Sequence, residues 1–222
     1  MEIKVVKQIL EWNEDCSNEI KALLKSKGIF MINVMGSPGA GKTSLIVEMI
    51  KRLSVNYNVA VIEGDIAGQI DADKIDALGI PVVQLNTEGA CHIEAMSISH
   101  ILQYFDLDKI DILLIENIGN LVCPAEFNIG EDIRIAILSI PEGDDKVEKY
   151  PLMFATTNGL VINKYDMLQH FDFDDMRVEN VAKDMNPKLE IFRVSTRTEQ
   201  GMDELVSWVT CNIKDKVTEL NV

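Results

Sequence analysis

One eight-residue segment constrains the fold of this 222-residue chain more than any other. It follows the apolar run 29–35, and it reads Gly36-Ser37-Pro38-Gly39-Ala40-Gly41-Lys42-Thr43, with Ser44 next. Its glycines allow backbone N–H groups to turn inward around a phosphate, at the positive end of the helix that follows. In this phosphate-loop pattern Lys42 reaches the β- and γ-phosphates as a catalytic residue, and the Thr43 hydroxyl holds Mg²⁺. The segment therefore predicts a nucleotide-binding α/β protein.

Short apolar runs alternate with helix-length segments along the rest of the chain. The runs are 29–35, 59–62, 81–85, 112–115, 133–140, 160–162 and 191–194, and the helix-length segments include 43–53, 72–78, 93–105 and 202–217. Runs that are apolar at consecutive positions are typical of strands covered on both faces. This order predicts a doubly wound, mostly parallel sheet with helices on both faces. Ligands of such sheets bind beyond the carboxyl ends of the strands, and the motifs lie there.

Length and composition bound the domain organisation and the partners. The chain has no repeat, low-complexity tract or linker-like stretch, so we expect residues 1–222 to form one nucleotide-binding domain, with 1–27 as a helical segment packed on it. A formal net charge of −15 disfavours binding to nucleic acid or to anionic membranes. The sequence shows neither an 18-residue apolar run nor a signal-peptide layout, and we expect a cytoplasmic protein.

A second motif predicts which base is bound. Asn163-Lys164-Tyr165-Asp166 follows the run 160–162 and has the layout that reads guanine in GTPases. The Asp166 carboxylate can accept hydrogen bonds from guanine N1–H and N2–H₂, whereas adenine offers neither donor there. Ser195 and Thr196 follow the last run, where a backbone N–H is expected to contact guanine O6. These residues predict GTP rather than ATP.

Two acidic residues are candidates for the Mg²⁺ shell and for catalysis. Glu116 follows the run 112–115, with Gly119 three residues on, and Asp65 follows the run 59–62, where a switch loop would begin. Carboxylate oxygens are ligands that Mg²⁺ prefers. The alternative for each is a strand-end carboxylate that caps a helix. No glutamine stands plainly in a water-positioning place, so unaided GTP hydrolysis is expected to be slow.

Two cysteines and a histidine form a third candidate site. Cys91 and His92 are adjacent, and Cys123 lies 32 residues later, shortly after Glu116. Two thiolates and an imidazole suit Zn²⁺ or Ni²⁺. The spacing is not a zinc-finger pattern, and the residues alone leave two interpretations open. One is a metal site, and the other is a pair of buried cysteines packed as small apolar side chains beside a helix-capping histidine.

Taken together, these motifs resemble the HypB family, GTPases that assist nickel insertion into nickel–iron hydrogenase. The resemblance covers approximately residues 28–210 and rests further on the segments 61–65, 111–126, 141–146 and 149–151. It implies a P-loop GTPase of the SIMIBI class and a homodimer, promoted by GTP, that forms through the nucleotide face. It also implies that Cys91, His92 and Cys123 bind nickel or zinc at or near the dimer interface.

The function implied by this resemblance is that of a GTP-hydrolysing metallochaperone. Its partners would be a nickel-delivery protein and a hydrogenase large-subunit precursor. Two alternatives remain: a GTPase chaperone for another metalloenzyme, of the urease or cobalamin-enzyme type, and a metal-independent GTP-switched interaction protein. The chain lacks the Cys-x-x-Cys-Gly-Cys segment and the His-rich stretch of some members, so high-affinity nickel storage is not expected. Glu94, Asn128 and the segment 68–70 also depart from the family pattern, and the last departure weakens the assignment of Asp65.

Overall fold

A parallel β-sheet organises the chain. The structure is a computed structural model that describes residues 2–64, 75–86 and 89–220. Within these ranges seven strands form one sheet in the order β3-β2-β4-β1-β5-β6-β7, and every pairing is parallel. The strands are β1 (Phe30–Gly36), β2 (Val59–Glu63), β3 (Val82–Gln84), β4 (Ile112–Glu116), β5 (Ile133–Ser139), β6 (Gly159–Asn163) and β7 (Glu190–Arg193). The predicted doubly wound parallel sheet is confirmed, and each strand lies within one residue of its predicted run.

Helices connect the strands and cover both faces. They are α1 (Glu2–Lys27), α2 (Lys42–Leu53), α3 (Ala95–Leu102), α4 (Cys123–Glu126), α5 (Lys146–Lys149), α6 (Pro151–Ala155), α7 (Asp175–Met185) and α8 (Met202–Leu220). Shorter 3₁₀ turns lie at Leu107–Lys109, Ile140–Glu142 and Tyr165–His170. None of the helices in the described ranges combines the length and the apolarity needed to cross a bilayer.

Two predicted helices differ from the structure. The segment 93–105 is helical only over Ala95–Leu102, because Glu94 is extended (φ −97°, ψ 156°) and the N–H of Ile93 is bonded to a side chain rather than to a helix. Of the segment 72–78, residues 72–74 lie outside the described residues. The remainder is helical only at Ile75 and Asp76 and then turns.

Burial on both faces explains why the strand sequences are continuously apolar. In β1, Ile32 and Val34 pack in a cluster with α2 and α8 on one face, whereas Met31 packs with α1 and α3 on the other. Asn33 alternates onto the same face as Met31 and is fully buried. The central strand β1 thus ends directly in the phosphate loop, with the neighbouring strands β4 and β5 ending beside it.

Candidate functional site

The phosphate loop joins β1 to the N-terminus of α2. Gly39 and Gly41 have φ values of 77° and 99°, in the left-handed region that glycine adopts without strain. A Cβ at Gly41 would lie 2.5 Å from Asn163 Nδ2, so a side chain is also excluded there by space. Lys42 is buried, and its Nζ donates to the carbonyl of Ser37 at 3.3 Å, which folds the lysine back over the loop. This is the geometry in which backbone N–H groups surround a phosphate.

The residues predicted to read guanine lie against this loop. Asn163 Nδ2 donates to the carbonyl of Ala40 at 2.9 Å, and Lys164 Nζ donates to that of Gly39 at 2.7 Å. The Ser195 hydroxyl donates to Asp166 Oδ1 at 2.7 Å and so holds the carboxylate. The chain at the end of β6 therefore contacts the phosphate loop, and the residue after β7 orients the carboxylate that follows β6.

A cavity lies beside this carboxylate. It has a volume of about 240 Å³ and is lined by Lys164, Asp166, Met167, Thr196 and Arg197. The arrangement places a fixed acceptor next to an open space adjoining the phosphate loop, which suits a base with two adjacent N–H donors.

The candidate magnesium ligands meet at the ends of β1 and β4. Thr43 Oγ1 donates to Glu116 Oε1 at 2.8 Å, and Glu116 is almost fully buried. A hydroxyl and a carboxylate oxygen side by side, next to a phosphate loop, fit the oxygen ligation of Mg²⁺. Asp65 lies outside the described residues.

A further acid at this position was not identified from the sequence. Glu63 pairs in register with Glu116 and is fully buried. Because paired positions of parallel strands point to the same face, Glu63 lies beside Glu116. The sequence does contain an indication of this acid, because Glu63 follows the apolar run 59–62 just as Glu116 follows the run 112–115.

The two cysteines and the histidine come together at the same end of the sheet. Cys91 Sγ lies 3.0 Å from Cys123 Sγ and 3.5 Å from His92 Nδ1, and one ligand atom from each residue lies within 4.8 Å of the others. Cys91 is exposed, and Cys123 and His92 are half-buried. An exposed thiol is not a packed core side chain, so the geometry favours a metal site over the packing alternative.

Burial and neighbouring groups shift the pKa values at this cluster. The hydrogen bond with Cys91, followed by burial, raises the pKa of the Cys123 thiol. Burial lowers the pKa of His92, and the carboxylates of Glu94 and Glu126 oppose this only in part. His92 is therefore neutral near pH 7, with a ring nitrogen able to bind a cation, whereas Cys123 must lose its proton when a cation binds.

The Cys123 segment is attached to the phosphate loop. The backbone N–H of Asn120 donates to the carbonyl of Gly36 at 3.1 Å. A Cβ at Gly119 would lie 2.7 Å from Cγ and 2.9 Å from N of Pro38, so these backbones touch. The chain between Glu116 and Cys123 thus runs directly over the loop that would hold the phosphates.

Comparisons with known proteins agree with this geometry. Residues 30–193 match the family described as CobW/HypB/UreG, nucleotide-binding domain. The chain is 42% identical over 207 residues to hydrogenase maturation factor HypB of Azotobacter vinelandii, covering 93% of this chain and 68% of that protein. It is 35% identical over 212 residues to the hydrogenase/urease maturation factor HypB of Helicobacter pylori strain J99, covering 94% and 87%. The crystal structure of HypB from Helicobacter pylori in complex with nickel superposes with a TM-score of 0.86 at 33% identity, over 91% of this chain and 95% of that one.

Proposed function

Because the chain belongs to the HypB family, within the CobW/HypB/UreG nucleotide-binding proteins, we propose that it is a GTP-hydrolysing metallochaperone that binds nickel and assists its insertion into nickel–iron hydrogenase. One observation carries this proposal. Two thiols and an imidazole converge on one point, and the segment bearing one of the thiols rests on the phosphate loop. Nickel binding and nucleotide binding therefore share a structural element.

Nickel is the cargo of the proposed reaction. Cys91 and Cys123, as thiolates, and neutral His92 form a donor set that suits Ni²⁺ or Zn²⁺. Three protein ligands leave a coordination position for water or for a ligand from a partner during transfer. The solved nickel complex of a relative supports nickel as the ion carried.

GTP is the proposed nucleotide. Asn163 and Lys164 brace the phosphate loop, and Asp166, held by Ser195, lines the cavity in which guanine would bind. Thr43 and Glu116, with Asp65, would hold Mg²⁺, which neutralises charge on the β- and γ-phosphates. Lys42 neutralises the same phosphates from the loop. No glutamine stands plainly in a water-positioning place in the sequence, so we expect hydrolysis by the chain alone to be slow.

Nucleotide state is proposed to control both assembly and metal affinity. GTP would order the segment between Glu116 and Cys123 and draw two copies of the chain together through the nucleotide face. Because the Cys123 thiol belongs to that segment, its position would change with the nucleotide, and the two affinities would be coupled. A nickel-delivery protein and a hydrogenase large-subunit precursor are the proposed partners.

The test is a titration of Ni²⁺ into reduced, metal-free protein bound to GDP or to a non-hydrolysable GTP analogue. We expect nickel to bind with different affinity in the two states and to bind far more weakly to Cys123→Ala. Cys211→Ala is the matched control, because Cys211 is an exposed thiol on α8. Equal binding in both states, or no loss in Cys123→Ala, would contradict the chaperone mechanism. Partner binding that persists unchanged in Cys91→Ala would favour the metal-independent interaction protein.

Urease is a second candidate client. A relative at 35% identity carries hydrogenase/urease in its name, and the same nickel site would serve either enzyme. Nickel transfer from the loaded chain to an apo-hydrogenase precursor or to apo-urease, measured side by side, separates the two clients.

A further inference from the structure

Two asparagine side chains bond at the end of the loop that carries Cys91 and His92, one linking it to the segment that follows Cys123 and the other linking it to the central strand β1. The first is Asn13, half-buried on α1. Its Oδ1 accepts a hydrogen bond from the N–H of Ala95 at 2.9 Å, three residues after His92. Its Nδ2 donates to the carbonyl of Asn128 at 2.7 Å, five residues after Cys123. One carboxamide therefore spans the gap between the two loops on the side that faces α1.

The second is Asn117, which is almost fully buried beneath the loops. Its Oδ1 accepts from the N–H of Ile118 at 2.9 Å and from that of Ile93, adjacent to His92, at 3.4 Å. Its Nδ2 donates to Asn33 Oδ1 at 3.1 Å, and Asn33 Nδ2 donates to Glu131 Oε1 at 3.3 Å. A buried network of hydrogen bonds thus runs from the loop that carries His92, through Asn33 on the central strand β1, to Glu131.

The same hydrogen-bond network reaches the segment after Cys123 through Arg134. The guanidinium is paired with Glu131 and donates to the carbonyls of Ala125 at 3.4 Å and Phe127 at 3.3 Å. The ring of Phe127 stacks on that of His92, with centroids 3.8 Å apart and planes 25° apart. The hydrogen-bond network therefore holds the backbone near both ligand-bearing loops. It also holds the backbone of Phe127, whose ring packs on His92.

Asn117 has a place in the sequence that Asn13 does not share. It directly follows Glu116, whose carboxylate accepts from Thr43. The N–H of Asn117 donates to the carbonyl of Val34 at 2.9 Å, and the carbonyl of Glu116 accepts from the N–H of Gly64 at 2.9 Å. One peptide bond therefore separates Glu116 from the residue whose carboxamide bonds to the histidine loop.

We propose that Asn13 and Asn117 are positioning residues for the nickel ligands, and that Asn117 in addition transmits the nucleotide state from Glu116 to His92. The inference rests on the proposed function, since it takes nickel to bind at Cys91, His92 and Cys123. A carboxamide suits this task because it donates and accepts at once, so Asn13 can fasten the two loops to each other and Asn117 can fasten the histidine loop to β1. Groups that orient metal ligands without touching the metal set affinity in this way.

The experiment measures nickel affinity in the GDP and GTP-analogue states for the wild type, Asn13→Ala, Asn117→Ala and Asn186→Ala. Asn186 is the matched control, because its amide also makes two backbone hydrogen bonds, to Thr157 and Lys188, before β7 at the opposite end of the sheet. We expect both Asn13→Ala and Asn117→Ala to bind nickel about ten- to a hundredfold more weakly. In Asn13→Ala the ratio of nickel affinity between the two nucleotide states stays as in the wild type. In Asn117→Ala this ratio falls to about one.

Two readouts separate positioning from general destabilisation. GDP affinity is expected to be unchanged in all three variants, and the thiolate-to-nickel absorption band is expected to shift only in Asn13→Ala and Asn117→Ala. If Asn117→Ala keeps the wild-type ratio of nickel affinities, Asn117 does not transmit the nucleotide state. If Asn186→Ala weakens nickel binding as much as the other two variants do, Asn13 and Asn117 are not positioning residues. If the wild type itself shows no nucleotide-dependent nickel binding, the proposed function fails instead.

A second measurement needs no variant, and so applies even where Asn117→Ala does not fold. Hydrogen exchange of the Ile93 amide is followed in the wild type with GDP and with the GTP analogue. Because this amide is bonded to Asn117 Oδ1, we expect its protection to differ between the two states. Identical protection, with nickel affinity still dependent on nucleotide, would overturn the proposed route.

Discussion

At the scale of single residues, the proposed preference for guanine rests on Asp166. Its carboxylate is oriented by the Ser195 hydroxyl and faces the cavity beside the phosphate loop. In Asp166→Asn the acceptor facing guanine is replaced in part by a donor. We expect GDP affinity to fall about 100-fold, because two hydrogen bonds to a charged group, at about 1.5 kcal/mol each, are lost.

The same substitution should favour xanthine, whose C2 carbonyl accepts where guanine donates. Titration with fluorescent GDP and with the xanthosine analogue measures both effects. Asp172→Asn, which removes an exposed carboxylate outside the cavity, is the control and should behave as the wild type. Loss of GDP affinity without any gain for xanthosine diphosphate would argue against a direct contact between Asp166 and the base.

Nickel affinity should rise with pH because the Cys123 thiol must lose its proton to bind nickel. The pKa of Cys123 is raised, so this thiol is protonated near neutral pH and must release its proton to bind nickel. The pKa of His92 is lowered, so the imidazole is already neutral and releases none. We expect nickel affinity to increase at least about tenfold per pH unit between about pH 6.5 and 8.

Calorimetry in buffers of different ionisation enthalpy counts the protons released by this binding. In Cys123→Ala the count should fall by one, and the affinity should depend less steeply on pH. A wild-type affinity that is independent of pH over this range would mean that Cys123 does not bind as a thiolate.

The role of a residue could be predicted from the sequence where a motif fixes both the residue type and the spacing. Lys42, Asn163 and Asp166 are recognisable because phosphate and guanine each demand particular donors and acceptors at fixed positions. Phe127 and Asn13 were not predicted, because an aromatic ring that stacks on a histidine and an asparagine that spans two loops carry no local pattern. Their roles depend on which loops the fold brings together.

At the scale of elements, the contact between Gly119 and Pro38 joins the cysteine segment to the phosphate loop. An added Cβ would meet backbone atoms of Pro38 at 2.9 and 3.0 Å, which cannot give way as a flexible side chain can. We expect Gly119→Ala to weaken binding of the GTP analogue about tenfold, because overpacking of this kind costs about 1–3 kcal/mol.

Gly79→Ala is the matched control for this substitution. Its Cβ would meet nothing within 4 Å, but its φ of 72° strains any other residue, so the variant should lose stability while keeping nucleotide affinity. Thermal unfolding and nucleotide titration of both variants separate the two effects. Equal loss of nucleotide affinity in both would mean that Gly119 acts only through stability.

The strands were predicted more closely than the helices, for a physical reason. A strand buried on both faces must be apolar at every position, so β4 and β5 are visible as continuous runs. The start of α3 was placed two residues early, at 93, because Ile93 is apolar and buried like a helix residue. Its N–H bonds to Asn117, a long-range contact that no periodicity reveals.

At the scale of the whole molecule, the parallel sheet gathers the candidate ligands among the described residues at one end. The loops after β1, β3, β4, β6 and β7 supply the phosphate loop, the Cys91–His92 pair, Glu116 with Cys123, the guanine motif and Ser195. Parallel strands place all their carboxyl ends on one edge, so the candidate nucleotide and metal sites are neighbours. This proximity, rather than a long pathway, is the basis on which we propose that the two sites are coupled.

The net charge of −15 bears on how two copies of this chain associate. A homodimer brings two strongly acidic protomers together, and their long-range repulsion opposes association. Salt screens this repulsion, with a Debye length of about 30 Å at 0.01 M and about 8 Å at 0.15 M. Association with a basic partner surface would instead weaken as the salt concentration rises, because salt screens electrostatic attraction as well as repulsion.

We therefore expect the dimer formed with the GTP analogue to tighten with ionic strength. Between 0.01 and 0.15 M KCl, at constant Mg²⁺, the dissociation constant should fall on the order of threefold or more. Sedimentation equilibrium with the analogue measures it, and the GDP-bound protein is the control for association that does not depend on the γ-phosphate. A dimer that weakens with salt would show that short-range ion pairs across the nucleotide face outweigh the repulsion of the whole molecules. No dimer in either nucleotide state would contradict the proposed assembly itself.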